Sequence, residues 1–592
     1  TLTLSGGDLR SNYRVSADYR NAKGVDRYSG REEYGARAAL NHTTRSGLFT
    51  FGLNIAPRVA YRKNASWDVF RNAVEANPTT PVMDPQNPTL YYNFKGQPAA
   101  YNPVELLKLD QSTGTTKLID WDASVKLNLF PLLLKNDDKQ MLTTQLNFAD
   151  HQYDNYNQWF RPSTSTLAIN AGRDGEAKQE YSKSSLRSLE WITNYSNSWG
   201  NNNVKVMLGY SYEYNVYSGF NAENKDFPND ALTYNNLGAG IFAKEKGELG
   251  MGSYKNDSKL IAFFGRVSYD WKGRYLLTVS LRREGSSKFG VNHRWGSFPA
   301  VSAGWRISDE PFMEGAKSWL TDLKLRADYG VTGNQNFDSY KSLNTMGGFG
   351  YYLYNGKNYQ VWGPGKNANP DLKWEKGKNW NIGLDWTLFK GRLYGSFNYF
   401  SRRQQDLLGD YNVSVPPYLF TSTFVNVGSM HNSGFEFDVT WNAIKSKDFS
   451  YTLNVVGATM NNKFVDFSNS KFVGQDYYDE VSPENPYPFH HLQRIERGRR
   501  IGSFYMLKYA GVDKQGRWVV YDKNNNMVLA DNATDEDQQY VGNGLPRFTG
   551  SMTHTFHYKQ FDASLFFQTA LGFDIFNIHD FYYGTKNFQG NV

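Results

Sequence analysis

The chain has 592 residues with no Cys, and its 65 Lys and Arg against 58 Asp and Glu leave a net charge of +7. The missing Cys excludes disulfides, thiolate metal sites and cysteine nucleophiles, and so mixed a charge balance, with aromatic and basic residues interleaved, argues against a nucleic-acid groove. A mean hydropathy of -0.64 with no apolar run near the ~20 residues a membrane helix needs excludes a transmembrane helix but not a barrel, where only every second residue must be apolar. Aromatics at 16% and 53 Gly favour a large β-rich body. No composition break divides the chain, so residues 1–592 are read as one domain.

In chain order, Val204, Val206, Leu208, Tyr210, Tyr212 and Tyr214 alternate with Lys205, Met207, Gly209, Ser211 and Glu213. Val267, Tyr269 and Trp271 then oppose Arg266, Ser268 and Asp270. After Lys272-Gly273 a return strand sets Tyr275, Leu277, Val279 and Leu281 against Thr278, Ser280 and Arg282, with Leu276 as the exception. Leu323, Leu325, Ala327 and Tyr329 oppose Lys324, Arg326 and Asp328. Trp380, Ile382, Leu384 and Trp386 run through Lys390-Gly391-Arg392 and return as Leu393, Gly395, Phe397 and Tyr399, and Tyr451, Leu453 and Val455 oppose Ser450, Thr452 and Asn454.

Period-2 alternation puts one set of side chains on each face of a sheet. Each strand taken alone also fits a half-buried strand of a soluble sandwich. The runs, however, alternate for roughly 10 to 13 residues against the usual 5 to 6 or so, which is the length needed to cross a bilayer at a tilt. Aromatics ending the apolar face near tight turns predict a membrane-interface girdle, and the polar face a watery lumen. About 18 such segments are enough to close a wide barrel.

Connections alternate short and long. Short ones fall at Lys272-Gly273, Lys390-Gly391, Ser446 to Asp448 and Lys559-Gln560, with Ser308 to Thr321 long enough for a helical turn. Long ones are expected over Asn77 to Lys117, Tyr217 to Asp257, Gly333 to Lys378, Arg402 to Gly428, Phe464 to Arg500 and Val512 to Arg547. Short turns at one rim and long loops at the other are the outer-membrane arrangement, with the long loops extracellular.

The phrases FFGRVSYDWKGRYLLTVSLRREGSSKFG (Phe263 to Gly290), RWGSFPAVSAGWRISDEPFM (Arg294 to Met313), LKLRADYGVTGNQ (Leu323 to Gln335), NPDLKWEKGKNWNIGLDW (Asn369 to Trp386), VNVGSMHNSGFEFDV (Val425 to Val439), RGRRIGSFYML (Arg497 to Leu507) and VGNGLPRFTGSMTHTFHYKQFDASLFFQTALG (Val541 to Gly572) follow one another. In this order they resemble the SusC/RagA family of TonB-dependent outer-membrane transporters of Bacteroidota, as does the opening Thr1 to Val25. The resemblance implies an all-β fold: a large antiparallel transmembrane β-barrel of about 22 strands in the complete family, only partly present here. It also implies a signal peptide, a TonB-box segment and a plug before Thr1, and further strands after Val592. The plug domain is therefore expected to be absent from this chain. The implied partners are a SusD-like surface lipoprotein, TonB through the N-terminal region, and outer-membrane lipid. The implied function is import of a large glycan or peptide ligand. A passive diffusion porin and a surface β-rich glycan-binding protein are the alternatives.

No catalytic, cofactor or metal residues are proposed. Adjacent His490-His491 point opposite ways on an extended segment, as do His554 and His557, three apart on a strand. Asp522, Asn524 and Asn526 mimic the start of a calcium loop, but Met527 stands in place of the Gly and Ala533 in place of the bidentate Glu. No G-x-S-x-G, H-E-x-x-H or P-loop pattern occurs, and Asp535, Glu536 and Asp537 read as solvated surface. Tyr351, Tyr352, Tyr354 and Trp362, in a long loop, are the candidate ligand-binding residues because aromatic rings stack on sugars; the alternative is that they pack the loop.

Overall fold

The computed structural model describes residues 1–64, 66, 68–95, 101–129, 140–247, 250–467, 476–480 and 491–578. His490 lies outside them, as do residues 468–475 and 481–490 of the Phe464 to Arg500 loop. Nineteen strands belong to one antiparallel sheet among the described residues, against about 18 expected from the alternation. Its members include the short Asn461–Asp466, which pairs with the start of Ser429–Lys445. The described residues divide into two compact units: Thr1–Asn194 and Gly209–Ile261 form one, Tyr195–Leu208 and Ala262–Phe576 the other.

In the first unit Leu2–Gly7, Ser11–Lys23, Gly30–Thr43, Phe49–Lys63, Gln111–Asn128 and Gln140–Arg161 each pair with the next. One cross-strand row reads Tyr13, Leu40, Leu53, Ala123, Phe148, and the row one residue away reads Asn12, Asn41, Gly52, Ser124, Asn147. The two faces are thus chemically distinct. The polar one borders a cavity of about 750 Å³ lined by Arg14, Asp18, Arg37, Arg58, Asp120 and Asp122.

The second unit repeats the device from Tyr275–Ser286 to Phe561–Leu571. Leu277, Ala303, Ala327, Ile382, Tyr399 and Phe435 form one row, while Thr278, Ser302, Asp328 and Asn381 form the row on the opposite face. Val267, Tyr269, Leu277 and Val279 are exposed on the apolar face. Ser268, Ser280 and Arg282 are half-buried, and Ser280, Asp328 and Arg402 line a cavity of about 650 Å³. Arg326 forks onto Asp385 at 2.7 and 2.8 Å on this polar face, the bidentate geometry that makes such pairs strong. Leu276 breaks the alternation without penalty because its cross-strand partner is Gly304, where a Cβ would stand 3.3 Å from the Leu276 Cδ1.

Two sequence expectations need correction. Some strands run well past 10 to 13 residues: Glu176–Trp199 and Asn202–Lys225 have 24 each, while Tyr275–Ser286, Leu393–Gln405 and Phe449–Thr459 have 12, 13 and 11. The pairing continues past the apolar stretch because outward positions there become mutually charged. Asp150 and Asp154 are two and six residues on from Phe148, on its face, and they meet Arg187 at 3.8 Å and Lys183 at 4.0 Å. The long connections, in turn, have other bounds than read and carry structure of their own: the one between Phe49–Lys63 and Gln111–Asn128 is longer, and Phe464 to Arg500 and Val512 to Arg547 belong to a single connection between Asn461–Asp466 and Phe548–Tyr558. Gln111 to Lys117 and Tyr217 to Lys225 are strand. The connection after Leu320–Asn334 holds the hairpin Met346–Tyr354/Lys357–Pro364, and the one after Leu393–Gln405 holds Leu408–Asn412/Ser422–Asn426. The Ser308 to Thr321 stretch contains the helical turns Ile307–Asp309 and Pro311–Ala316. At the Lys272-Gly273 turn both residues have positive φ, 57° and 66°, which matches the twist of the flanking strands.

The best-buried core of the second unit lies at its long-loop end. Phe289, Leu372 and Trp374 are almost fully buried, with Phe289 4.5 Å and Phe298 5.2 Å from Trp374 between ring centroids. The Trp374 Nε1 donates to the Arg294 carbonyl at 2.9 Å. Asn367 and Asn426 act as cross-braces: Asn367 Nδ2 donates to the Phe420 and Ser422 carbonyls at 2.8 Å each, and Asn426 Nδ2 to the Lys373 carbonyl at 2.6 Å. These side chains satisfy the backbone groups that a folded-over loop would otherwise bury unpaired.

Candidate functional site

The sequence YLYNGKNYQ carries its own hairpin signal, since Asn355-Gly356 lies between alternating aromatics and both residues sit at positive φ, 48° and 73°. The hairpin holds all four candidate aromatics, but not on one side. Tyr352 and Tyr354 share a face with a centroid separation of 6.3 Å and an interplanar angle of 16°, and Tyr359, which pairs with Tyr352, joins them. Tyr351 and Trp362 lie on the other face. Tyr351, Tyr352, Tyr354 and Trp362 are 71%, 59%, 63% and 60% exposed, so they do not pack the loop. Tyr359 was missed by the sequence reading, although its place across the turn is legible from the Asn-Gly register.

A second constellation, also missed, is built by the loop between Phe449–Thr459 and Phe548–Tyr558. Tyr477–Glu480, Gln493–Glu496, Ser503–Met506 and Gln539–Asn543 form a four-stranded sheet. Arg494 is clamped between the rings of Tyr477 at 3.7 Å and Tyr505 at 4.0 Å and bonds Asp479 through two nitrogens at 2.7 and 2.9 Å. The Asp479 hydrogen bond raises its already high pKa further. Tyr540 donates to Glu496, and burial, then this bond, pushes the phenol pKa up.

Against this sheet Arg499, Arg500 and Arg547 line a cavity of about 650 Å³ with Tyr540, Ser503 and Asp574. Arg499 lies over the Tyr540 ring at 4.5 Å. The Arg500 Nε and Nη1 are buried with no acceptor among the described residues, and only Nη2 is engaged, with the Leu545 carbonyl at 3.2 Å. Burial and then the neighbouring Arg547 charge lower the Arg500 pKa. The one carboxylate in the lining, Asp574, already accepts the Asn543 amide at 2.9 Å. Desolvated guanidinium donors without an acceptor are costly, and an oxyanion is the group that fits them. Arg497 to Arg500 stand together in the sequence, but Arg547 is brought in only by the fold.

Among the described residues no three His, Asp or Glu side chains gather as a metal site. His554 Nδ1 bonds the Tyr451 hydroxyl at 2.8 Å, while His557 Nδ1 bonds Asp562 at 2.7 Å. The Asp522 carboxylate closes its own turn, taking the amides of Asn524 and Asn526 at 2.8 Å each. Asp535–Asp537 is a helical turn capped by Thr534, and Glu536 meets Lys523 at 2.6 Å.

The family model for the TonB dependent receptor-like β-barrel matches residues 77–591. The chain belongs to that family. It is 31% identical over 441 residues to TonB-dependent receptor P3 of Formosa agariphila, covering 71% of this chain and 42% of that protein. It is 26% identical over 613 residues to TonB-dependent receptor SusC of Bacteroides thetaiotaomicron, covering 96% of this chain and 57% of SusC. The chain thus spans about half the length of the curated relatives it matches. Among solved structures, the RagAB peptide importer in its open-open state superposes with a TM-score of 0.80 at 20% identity, over 96% of this chain and 60% of that one. Family and fold agree on a SusC/RagA-type outer-membrane β-barrel, with lipid-facing and lumen-facing residues alternating along each strand.

Proposed function

We propose that the chain is the barrel part of a TonB-dependent importer that takes a large glycan or peptide ligand from the cell surface, working with a SusD-like lipoprotein and with TonB. The observation that carries this reading is the braced long-loop rim, where an exposed aromatic hairpin and an arginine-lined cavity accompany polar strand faces. A diffusion pore needs no such construction. In this reading Tyr352, Tyr354 and Tyr359 offer a stacking surface, Tyr351 and Trp362 a second one, and Arg500 with Arg547 contacts an anionic group of the ligand. The solved relative is named as a peptide importer and SusC is a relative by sequence, so both ligand classes stand.

The test uses the full-length gene in its own host. Uptake of fluorescent oligosaccharide and peptide mixtures is measured with and without a protonophore and in a strain deleted for the proposed SusD-like lipoprotein. Loss of uptake in both conditions is expected, together with a reduction of about tenfold for Tyr352→Ala/Tyr354→Ala, in line with the stacking energy of two rings. Uptake indifferent to the protonophore would replace this reading with passive diffusion.

A further inference from the structure

We infer that the outward face at the long-loop rim of the second unit is a binding site for the phosphate groups of a phosphorylated glycolipid of the outer leaflet. Cross-strand register places Lys378, Arg403, His431 and Lys463 directly opposite one another on four successive strands. Neighbouring strands lie ~4.8 Å apart, so the row spans roughly 14 Å. Arg402 and Gln404, one residue to either side of Arg403, line the cavity of the opposite face, which fixes the row on the apolar, outward side.

The next outward row toward the short turns contains Tyr329, Trp380 and Ser401, and the one beyond it Ile382, Tyr399 and Phe435. Tyr329 and Trp380 meet at 4.5 Å between centroids and Tyr399 and Phe435 at 5.0 Å. Aromatics of this kind mark the headgroup level. The basic row stands two residues, roughly 7 Å of strand, beyond them, within reach of headgroup phosphates for side chains whose stems can lie along apolar surface.

The row is also electrostatically incomplete. Like charges directly opposite on neighbouring strands destabilise a sheet, yet among the described residues neither Lys378, Arg403 nor Lys463 has a carboxylate in salt-bridge range, and His431 is held by Ser401 at 2.9 Å. Two outward cations of the first unit, Arg187 and Lys183, are different, since they face Asp150 and Asp154. An anion from outside the chain supplies what Lys378 and Arg403 lack, and the adjacent apolar band selects one carried on a lipid.

The experiment takes the full-length protein purified from outer membranes, delipidated in detergent, and titrates it with bis-phosphorylated lipid A or its dephosphorylated form, reading bound lipid by native mass spectrometry. It is independent of import. We expect wild type to retain the phosphorylated form at least tenfold better, Lys378→Gln/Arg403→Gln to lose that preference, Lys183→Gln/Arg187→Gln to keep it, and the charge-conserving Lys378→Arg/Arg403→Lys to restore it. Heat-modifiable gel mobility reports that each variant is folded. Equal retention of the two lipid forms by wild type, or an unchanged preference in Lys378→Gln/Arg403→Gln, overturns the assignment.

Discussion

Val279 offers the most direct test of which face meets lipid. It is exposed, pairs with Val301, and is flanked along its own face by Leu277 and Leu281. The outward face turns polar at Arg283, and Tyr275 lies at its other end beside Trp271, 5.5 Å away between ring centroids. Val279 is four residues from each limit. That is about 14 Å along the strand, or about 10 Å in depth at a tilt near 40°, so it lies close to the middle of a ~25 Å apolar band. Val279→Arg is therefore expected to cost about 2 to 4 kcal/mol, a roughly 30- to 900-fold change in the folded-to-unfolded ratio. Ser280→Arg, one residue away, enters the polar cavity beside Asp328 and is expected to cost less than about 1 kcal/mol. The assay is reversible guanidinium unfolding of the full-length protein in phospholipid vesicles, followed by Trp fluorescence. A larger cost for Ser280→Arg than for Val279→Arg would refute the assignment of faces, because a one-residue slip inverts every position together.

Trp374→Ala should destabilise the long-loop rim by about 3 to 5 kcal/mol through loss of a nearly fully buried ring, while Trp374→Phe should cost markedly less because only part of that packing and the Arg294 hydrogen bond are lost; amide exchange across 335–374 reads the difference, and equal exchange in all three proteins would count against a shared core. At the tip of the Trp518–Tyr521/Met527–Leu529 hairpin, the Asn526 amide and side chain, together with the Asn524 amide, hold the Asp522 carboxyl below its ordinary value of 3.8. Its stabilisation is therefore fully present above pH 3.8 and is lost only as pH falls through the lowered value. Protection of the Asn526 amide should follow that course and be absent at every pH in Asp522→Ala; protection that fades above pH 3.8 would contradict it.

Alternation alone determined the two faces of the strands on which it could be read. Tyr275, Leu277, Val279 and Leu281 against Thr278, Ser280 and Arg282 could be written down from spacing, because side-chain direction in a strand has period 2 wherever the strand lies. Turn chemistry was equally local: Lys272-Gly273 and Asn355-Gly356 carry the positive φ values that tight hairpins need. Strand ends were not legible, since backbone pairing past the apolar span depends on partners such as Asp150 and Arg187, 37 positions apart, and no window of one strand contains both. The arginine cavity needed Arg547 brought to Arg500 by the return of a long loop. The basic row needed the register of four strands, which set Lys378 beside Arg403, Arg403 beside His431 and His431 beside Lys463. Each of these is a coincidence of residues distant in the chain, created when hydrogen bonds fix one strand against the next.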